Sequence, residues 1–128
     1  LDIKKMDKLK NVSFLQCDFL EKGTKEKILK FFEEKLDVVL SDMAANTTGN
    51  KSLDCIRTNQ LCADVVEFSS KILKPNGVLV SKLFMGEDFL EVKELAKSRF
   101  KKVQFFKPEA SRNESRETYL HCSILKTL

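Results

Sequence analysis

Short apolar runs alternate along the chain with longer stretches of helical spacing. VSFLQCD (residues 12–18) predicts a strand, and TKEKILKFFEEK (24–35) predicts a helix. Thr24 is the candidate N-cap, although Lys27 stands where a capping box places Glu. DVVLSD (37–42) is nearly continuous in apolar character, the pattern of a strand covered on both faces. Leu61, Val65, Phe68 and Ile72 then fall at i, i+4, i+7 and i+11, with Cys62, Val66, Ser69 and Leu73 one step behind. That spacing predicts a helix over roughly residues 53–73. KPNG (74–77) supplies a proline and a glycine to end it. VLVSKLF (78–84) is the next strand, 87–100 the next helix, and 102–107 and 118–126 two last strands joined by a polar loop.

Strand, helix, strand, helix, strand, helix is the order of a parallel sheet with helices on both faces. The two final strands have no helix between them, so an antiparallel pair at one edge is expected. Residues 1–128 therefore read as a single α/β domain. At 128 residues the chain is long enough for one core. No apolar run approaches the roughly 20 residues of a membrane span, and LDIKKMDKLK is too polar for a signal peptide. The chain opens on Leu1 rather than Met, and the expectation is a piece of a longer protein.

Charge and cysteine change this picture little. Cys17, Cys55, Cys62 and Cys122 show no CxxC spacing and, with the single His121, make a poor zinc set. They are expected as free core thiols in a reducing compartment. The net charge is +4. Seven positive residues (Lys97, Arg99, Lys101, Lys102, Lys107, Arg112, Arg116) face two negative ones (Glu109, Glu114) near the end. Such a basic stretch suits a polyanion such as RNA, and equally a solvated lysine-rich surface.

Candidate chemistry lies at strand ends. Asp18 closes one apolar run, Asp42 closes another, and Asp2 in the opening LDI stands where a third would end. An acid there accepts hydrogen bonds from a ribose hydroxyl or an exocyclic amine, or simply caps the following turn. Three at corresponding places point to a nucleoside-like ligand. Lys82 is the second oddity, an ammonium group inside an apolar strand. It either snorkels to solvent or carries a function. No Gly-rich phosphate loop, GxSxG elbow or histidine-based triad is present.

VVLSDMAANTTG, SKLFMGEDF and KPEASRNESRETYL, in that order and spacing, resemble the FtsJ (RrmJ) family of ribosomal RNA 2′-O-methyltransferases. Their counterparts there are an SDMAPN-type loop, a VKxFxGE-type strand and a KPxxSRxxSRExY ending. Nearly the whole chain takes part. Ala45 stands where bacterial members usually carry proline. The resemblance implies a Rossmann-like class I methyltransferase sheet, incomplete at the N-terminus. It implies methyl transfer from S-adenosylmethionine to a ribose 2′-hydroxyl by a Lys-Asp-Lys-Glu tetrad. Asp42, Lys82 and Glu117 match its last three catalytic members. Asp2 (ribose), Asp18 (adenine edge) and Asp42 (methionine portion) match the cofactor contacts. The family's first lysine and Gly-rich loop precede Leu1, so the 128 residues are expected to be unstable and inactive alone.

The implied partner is a uridine of ribosomal RNA, within the large ribosomal subunit. Arg112, Arg116, Lys51 and Arg57 are the candidate phosphate contacts, with Asn46 and Ser111 as positioning residues. Neither a metal nor a membrane is implied. The compartment is cytoplasmic, with a mitochondrion as the alternative. A transfer RNA or cap methyltransferase and a non-catalytic RNA-binding module of the same fold are the competing readings.

Overall fold

The computed structural model describes residues 1–45, 48–86, 88–107 and 116–126. The chain forms two compact units, Leu1–Glu34 and Lys35–Leu128.

In the first unit the predicted strand at 12–18 is reduced to one parallel bridge, Asp2 to Gln16. Asp2 N–H donates to Leu15 O, and Cys17 N–H donates to Asp2 O. The ladder stops because the chain bends at Ile3 and Lys4, where Lys4 N–H turns back onto the Asp2 carboxylate at 3.1 Å. Helix α1 is Thr24–Phe31, shorter than predicted. Its N-cap is Gly23 rather than Thr24, at φ 92°, a left-handed conformation that glycine adopts without strain.

The second unit is a four-stranded sheet with two helices. Its elements are β1 (Leu36–Ser41), α2 (Lys51–Ile72), β2 (Leu73–Phe84), α3 (Phe89–Arg99), β3 (Phe100–Phe106) and β4 (Glu117–Leu125). The strand order is β1-β2-β4-β3. β1 and β2 are parallel, and β4 is antiparallel to both β2 and β3. The expected antiparallel pair is present, but β4 inserts between β2 and β3, so β3 is the edge. Helix α2 begins two residues earlier than its apolar spacing indicated, because the Asn50 side chain accepts a hydrogen bond from Leu53 N–H and caps it there.

KPNG does not stand between helix and strand as a separate turn. β2 starts at Leu73, paired with Leu36, and the next pair is Val38 with Val78. Lys74–Gly77 are thus looped out of the ladder as a bulge, where Pro75 needs no N–H partner. Space at Gly77 is tight. A Cβ would lie 2.9 Å from Leu73 Cδ2 and 3.2 Å from the Asp37 carbonyl oxygen.

Alternation along β2 and β4 divides the sheet. Leu79, Leu83, Leu120 and Cys122 are fully buried, Ser81 nearly so. This face takes both helices. Ser81 reaches Cys62 of α2, and Phe105, in line with Leu120, packs its ring on Phe89 of α3 at 4.6 Å. The sequence predicts helices on both faces; α2 and α3 of this unit share one face, and α1 belongs to the first unit. Cys55, Cys62 and Cys122 are buried free thiols, and Cys17 is partly exposed. Burial raises the Cys62 thiol to about 11 and the Cys122 thiol to about 12.

Candidate active site

Val78, Val80, Lys82 and Phe84 point to the sheet face opposite the helices, because side chains along a strand alternate. Strand register then decides what Lys82 meets. Its partner across β4 is Tyr119. Ser41 of β1 pairs with Ser81, so Asp42 comes one step further, beside Lys82. Glu117, two residues before Tyr119, shares Tyr119's face and pairs with Phe84.

The result is a small ring of polar atoms. Lys82 Nζ lies 3.3 Å from Asp42 Oδ1 and 3.3 Å from Glu117 Oε1. Both are longer than the roughly 2.7–2.9 Å of a tight charge-assisted hydrogen bond. The Tyr119 hydroxyl donates to the same Asp42 oxygen at 2.7 Å, and Glu117 Oε1 is a distant second acceptor at 3.4 Å. Accepting carboxylates and their charge push the Tyr119 phenol well above its ordinary range, with the Asp42 hydrogen bond as the main cause. Tyr119 is therefore a neutral donor at any physiological pH.

Magnitudes argue that this cluster is not a stability device. The Lys82 side chain is only 15% exposed, whereas that of Asp42 is 70% exposed. Water screens such a pair to roughly 0.2–1 kcal/mol. A largely buried ammonium whose carboxylate partner is this exposed is a poor way to stabilise a sheet. It is a suitable way to present an amine beside two carboxylates.

Helix α2 fixes the strand ends that carry these groups. Asn59 is fully buried. Its amide nitrogen donates to Phe84 O at 2.9 Å and to Asp88 Oδ1 at 2.8 Å. Its amide oxygen accepts Phe84 N–H at 2.8 Å. One side chain thus satisfies both backbone groups at the end of β2. The neighbouring Thr58 accepts Ala45 N–H at 3.1 Å and ties down the segment after Asp42. Further along that segment, Asp54 Oδ1 accepts from the Thr48 hydroxyl at 2.7 Å and from Thr48 N–H at 2.9 Å. Those bonds hold its carboxyl below the usual range. At the start of β4, Met85 N–H donates to Arg116 O at 2.8 Å. Thr118 donates from its hydroxyl to Phe106 O at 2.8 Å.

The sequence-predicted residues divide accordingly. Asp42, Lys82 and Glu117 are brought together. Tyr119, Asn59 and Thr58 were not singled out in the sequence, although Asn59 carries a signal, a carboxamide inside an apolar helical stripe. In the first unit, Asp2 is itself bridged in parallel to Gln16, and Asp18 follows that bridge by two residues. Each caps its own turn, Asp2 through Lys4 N–H and Asp18 through Leu20 N–H at 2.9 Å. That is the structural alternative for these acids, and it uses one carboxylate oxygen of each. Lys51, Arg57 and Arg116 are exposed, with no contact among the described residues that joins them. Asn46, Ser111 and Arg112 lie outside the described residues. Among the described residues no three His, Cys, Asp or Glu side chains gather as a metal site, and no helix is long and apolar enough to cross a membrane.

Comparison with known proteins identifies the family and the fold. The family model of FtsJ-like methyltransferases matches residues 1–124. A Pelagibacter ubique protein named Ribosomal RNA large subunit methyltransferase E is 43% identical over 126 residues, covering 98% of this chain and 62% of its own length. The protein of the same name from Rickettsia akari is 45% identical over 120 residues, covering 94% of this chain and 53% of its own length. The chain thus spans about half to three fifths of these relatives. The crystal structure of a Plasmodium falciparum protein described as a ribosomal RNA methyltransferase superposes with a TM-score of 0.82 at 27% identity, over 97% of this chain and 69% of that one. A Streptococcus mutans methyltransferase in complex with SAH shares the fold at a TM-score of 0.56 and 14% identity, over 97% of this chain and 68% of that one.

Proposed function

Because the chain belongs to the FtsJ-like methyltransferase family, we propose that the protein carrying it methylates a ribose 2′-hydroxyl of large-subunit ribosomal RNA, at a uridine, using S-adenosylmethionine. The observation that carries this reading is the placement of Lys82 Nζ between Asp42 and Glu117, at 3.3 Å from each. Relatives named for ribosomal RNA large subunit methylation support the substrate class.

The cofactor is tested against the first unit's geometry. Asp2, bridged in parallel to Gln16, and Asp18, two residues further on, are the acids proposed for the nucleoside part of the donor, Asp2 for the ribose hydroxyls and Asp18 for the adenine edge. Asp42 is the residue assigned to the methionine portion. When bound, S-adenosylmethionine supplies a methyl group already activated on a cationic sulfur. What remains for the protein is alignment and one proton.

A ribose hydroxyl is a weak nucleophile until its proton is removed or held. Lys82 is the residue assigned to that task. As a neutral amine it accepts the proton; as an ammonium it orients the oxygen and stabilises the charge that develops there. Asp42 and Glu117 orient the amine. Arg116, Arg112, Lys51 and Arg57 are the proposed phosphate contacts. They position the RNA without reading its sequence. Such a substrate places the enzyme where large subunits mature, in a bacterial cytoplasm or a mitochondrion.

The test is transfer of labelled methyl groups by the full-length protein to large ribosomal subunits and to naked ribosomal RNA, followed by alkaline digestion. A 2′-O-methyl group blocks cleavage, so the expected label is in an alkali-stable dinucleotide. Label in a base contradicts the reading. No label in any RNA favours a non-catalytic RNA-binding module instead.

A further inference from the structure

The phenol of Tyr119 and the amine of Lys82 compete for the same two oxygens. Asp42 Oδ1 is 2.7 Å from the Tyr119 hydroxyl and 3.3 Å from Lys82 Nζ. Glu117 Oε1 is 3.4 Å from the hydroxyl and 3.3 Å from the amine. At Asp42 the phenol has the shorter hold. An uncontested lysine–carboxylate pair closes to roughly 2.7–2.9 Å, which commits the amine's protons to the carboxylate. Resting on the functional reading above, we propose that Tyr119 is a positioning residue of the methyl-transfer site, its hydroxyl occupying Asp42 so that Lys82 stays available to the ribose hydroxyl.

Three features place Tyr119 for this role. It is the direct cross-strand partner of Lys82, so the two side chains leave the sheet side by side. Its ring is stacked on Phe106 of β3 at 5.8 Å with 24° between planes, which fixes the direction of the hydroxyl. Among the described residues, the charged groups around it are Asp42 after β1, Lys82 on β2 and Glu117 on its own strand, with Lys107 beyond β3 reaching the Glu117 carbonyl at 3.2 Å. Phe106 on the remaining side is uncharged.

Tyr119→Phe in the full-length protein keeps the ring and its stacking and removes only the hydroxyl. The expected result is a kcat lowered about tenfold, with KM for RNA and for S-adenosylmethionine within twofold, an altered kcat–pH profile and an unchanged melting temperature. In an Asp42→Asn background the same change is expected to add little, because residues acting through one another are non-additive. Wild-type kcat and pH profile in Tyr119→Phe overturn the proposal. So does an equal loss in both backgrounds, or a lowered melting temperature with unchanged kcat per folded molecule. Spectroscopic titration of the phenol, taken as the difference from Tyr119→Phe, needs no RNA. The Tyr119 phenol should resist ionisation well above the ordinary tyrosine value of about 10, and Asp42→Asn should restore ordinary behaviour. An ordinary titration in the wild type refutes the inference even where the RNA assay succeeds. A shifted titration restored by Asp42→Asn, with no label in any RNA, upholds the hydroxyl's hold on Asp42 and overturns the functional reading alone.

Discussion

The two faces of the second unit's sheet are built from the same strands and serve different ends. Under α2 and α3 lie Leu79, Leu83, Leu120 and Cys122, all with no exposed surface. On the opposite face the same strands present Lys82, Glu117 and Tyr119, each partly exposed. Leu83 and Lys82 are neighbours in sequence. One backbone step separates a side chain that holds the sheet to its helices from the one proposed to face a reactant. The period of two along a strand thus lets adjacent positions answer to unrelated demands.

The contrast breaks most visibly with large-to-small changes on the helix face. Leu83→Ala removes a fully buried side chain and should cost about 2–5 kcal/mol in a denaturant titration, while the surviving folded molecules keep their kcat. Asn59→Ala tests the element that joins the faces. It leaves Phe84 N–H and O without their side-chain partner and should cost about 1–3 kcal/mol. Phe84 is two residues from Lys82, so kcat should fall as well. A loss of stability alone would show that the clamp does not reach the site.

A further contrast concerns pH. Cys62 and Cys122, on the helix side, have thiols raised to about 11 and about 12 in the folded chain, against about 8.5 for an ordinary thiol. The folded state favours the protonated form, so this contribution is complete below the ordinary value. It is lost as pH rises through the folded values. Urea midpoints should fall as pH rises from about 9 toward 12, and Cys122→Ala should flatten that decline. A decline unchanged in this variant would place the alkaline sensitivity elsewhere.

Much of this division is legible in the sequence, because alternation is a local property. VLVSKLF already marks Lys82 as anomalous, and Asp42 falls at a strand end by inspection. The role of Tyr119 is not local. Its bond to Asp42 joins positions far apart in sequence and exists only because β4 enters between β2 and β3. The apolar pattern predicts that the last two strands pair and does not say which of them lies inside. Asn59 was hidden for a similar reason. Helical spacing places it on a buried face, but its partners are the backbone of another element. The strand predicted at 12–18 failed because apolar alternation cannot show that the opposing segment bends after Asp2.

The division between faces is tested most directly by Lys82→Ala in the full-length protein, read as single-turnover methyl transfer to large ribosomal subunits beside a thermal melt. The expected result is a fall in rate of roughly a thousandfold or more, as for loss of a central proton-handling group, with a melting temperature within a few degrees of wild type. A variant that transfers methyl at the wild-type rate, or that loses activity only because it unfolds, would contradict the assignment of Lys82 to chemistry.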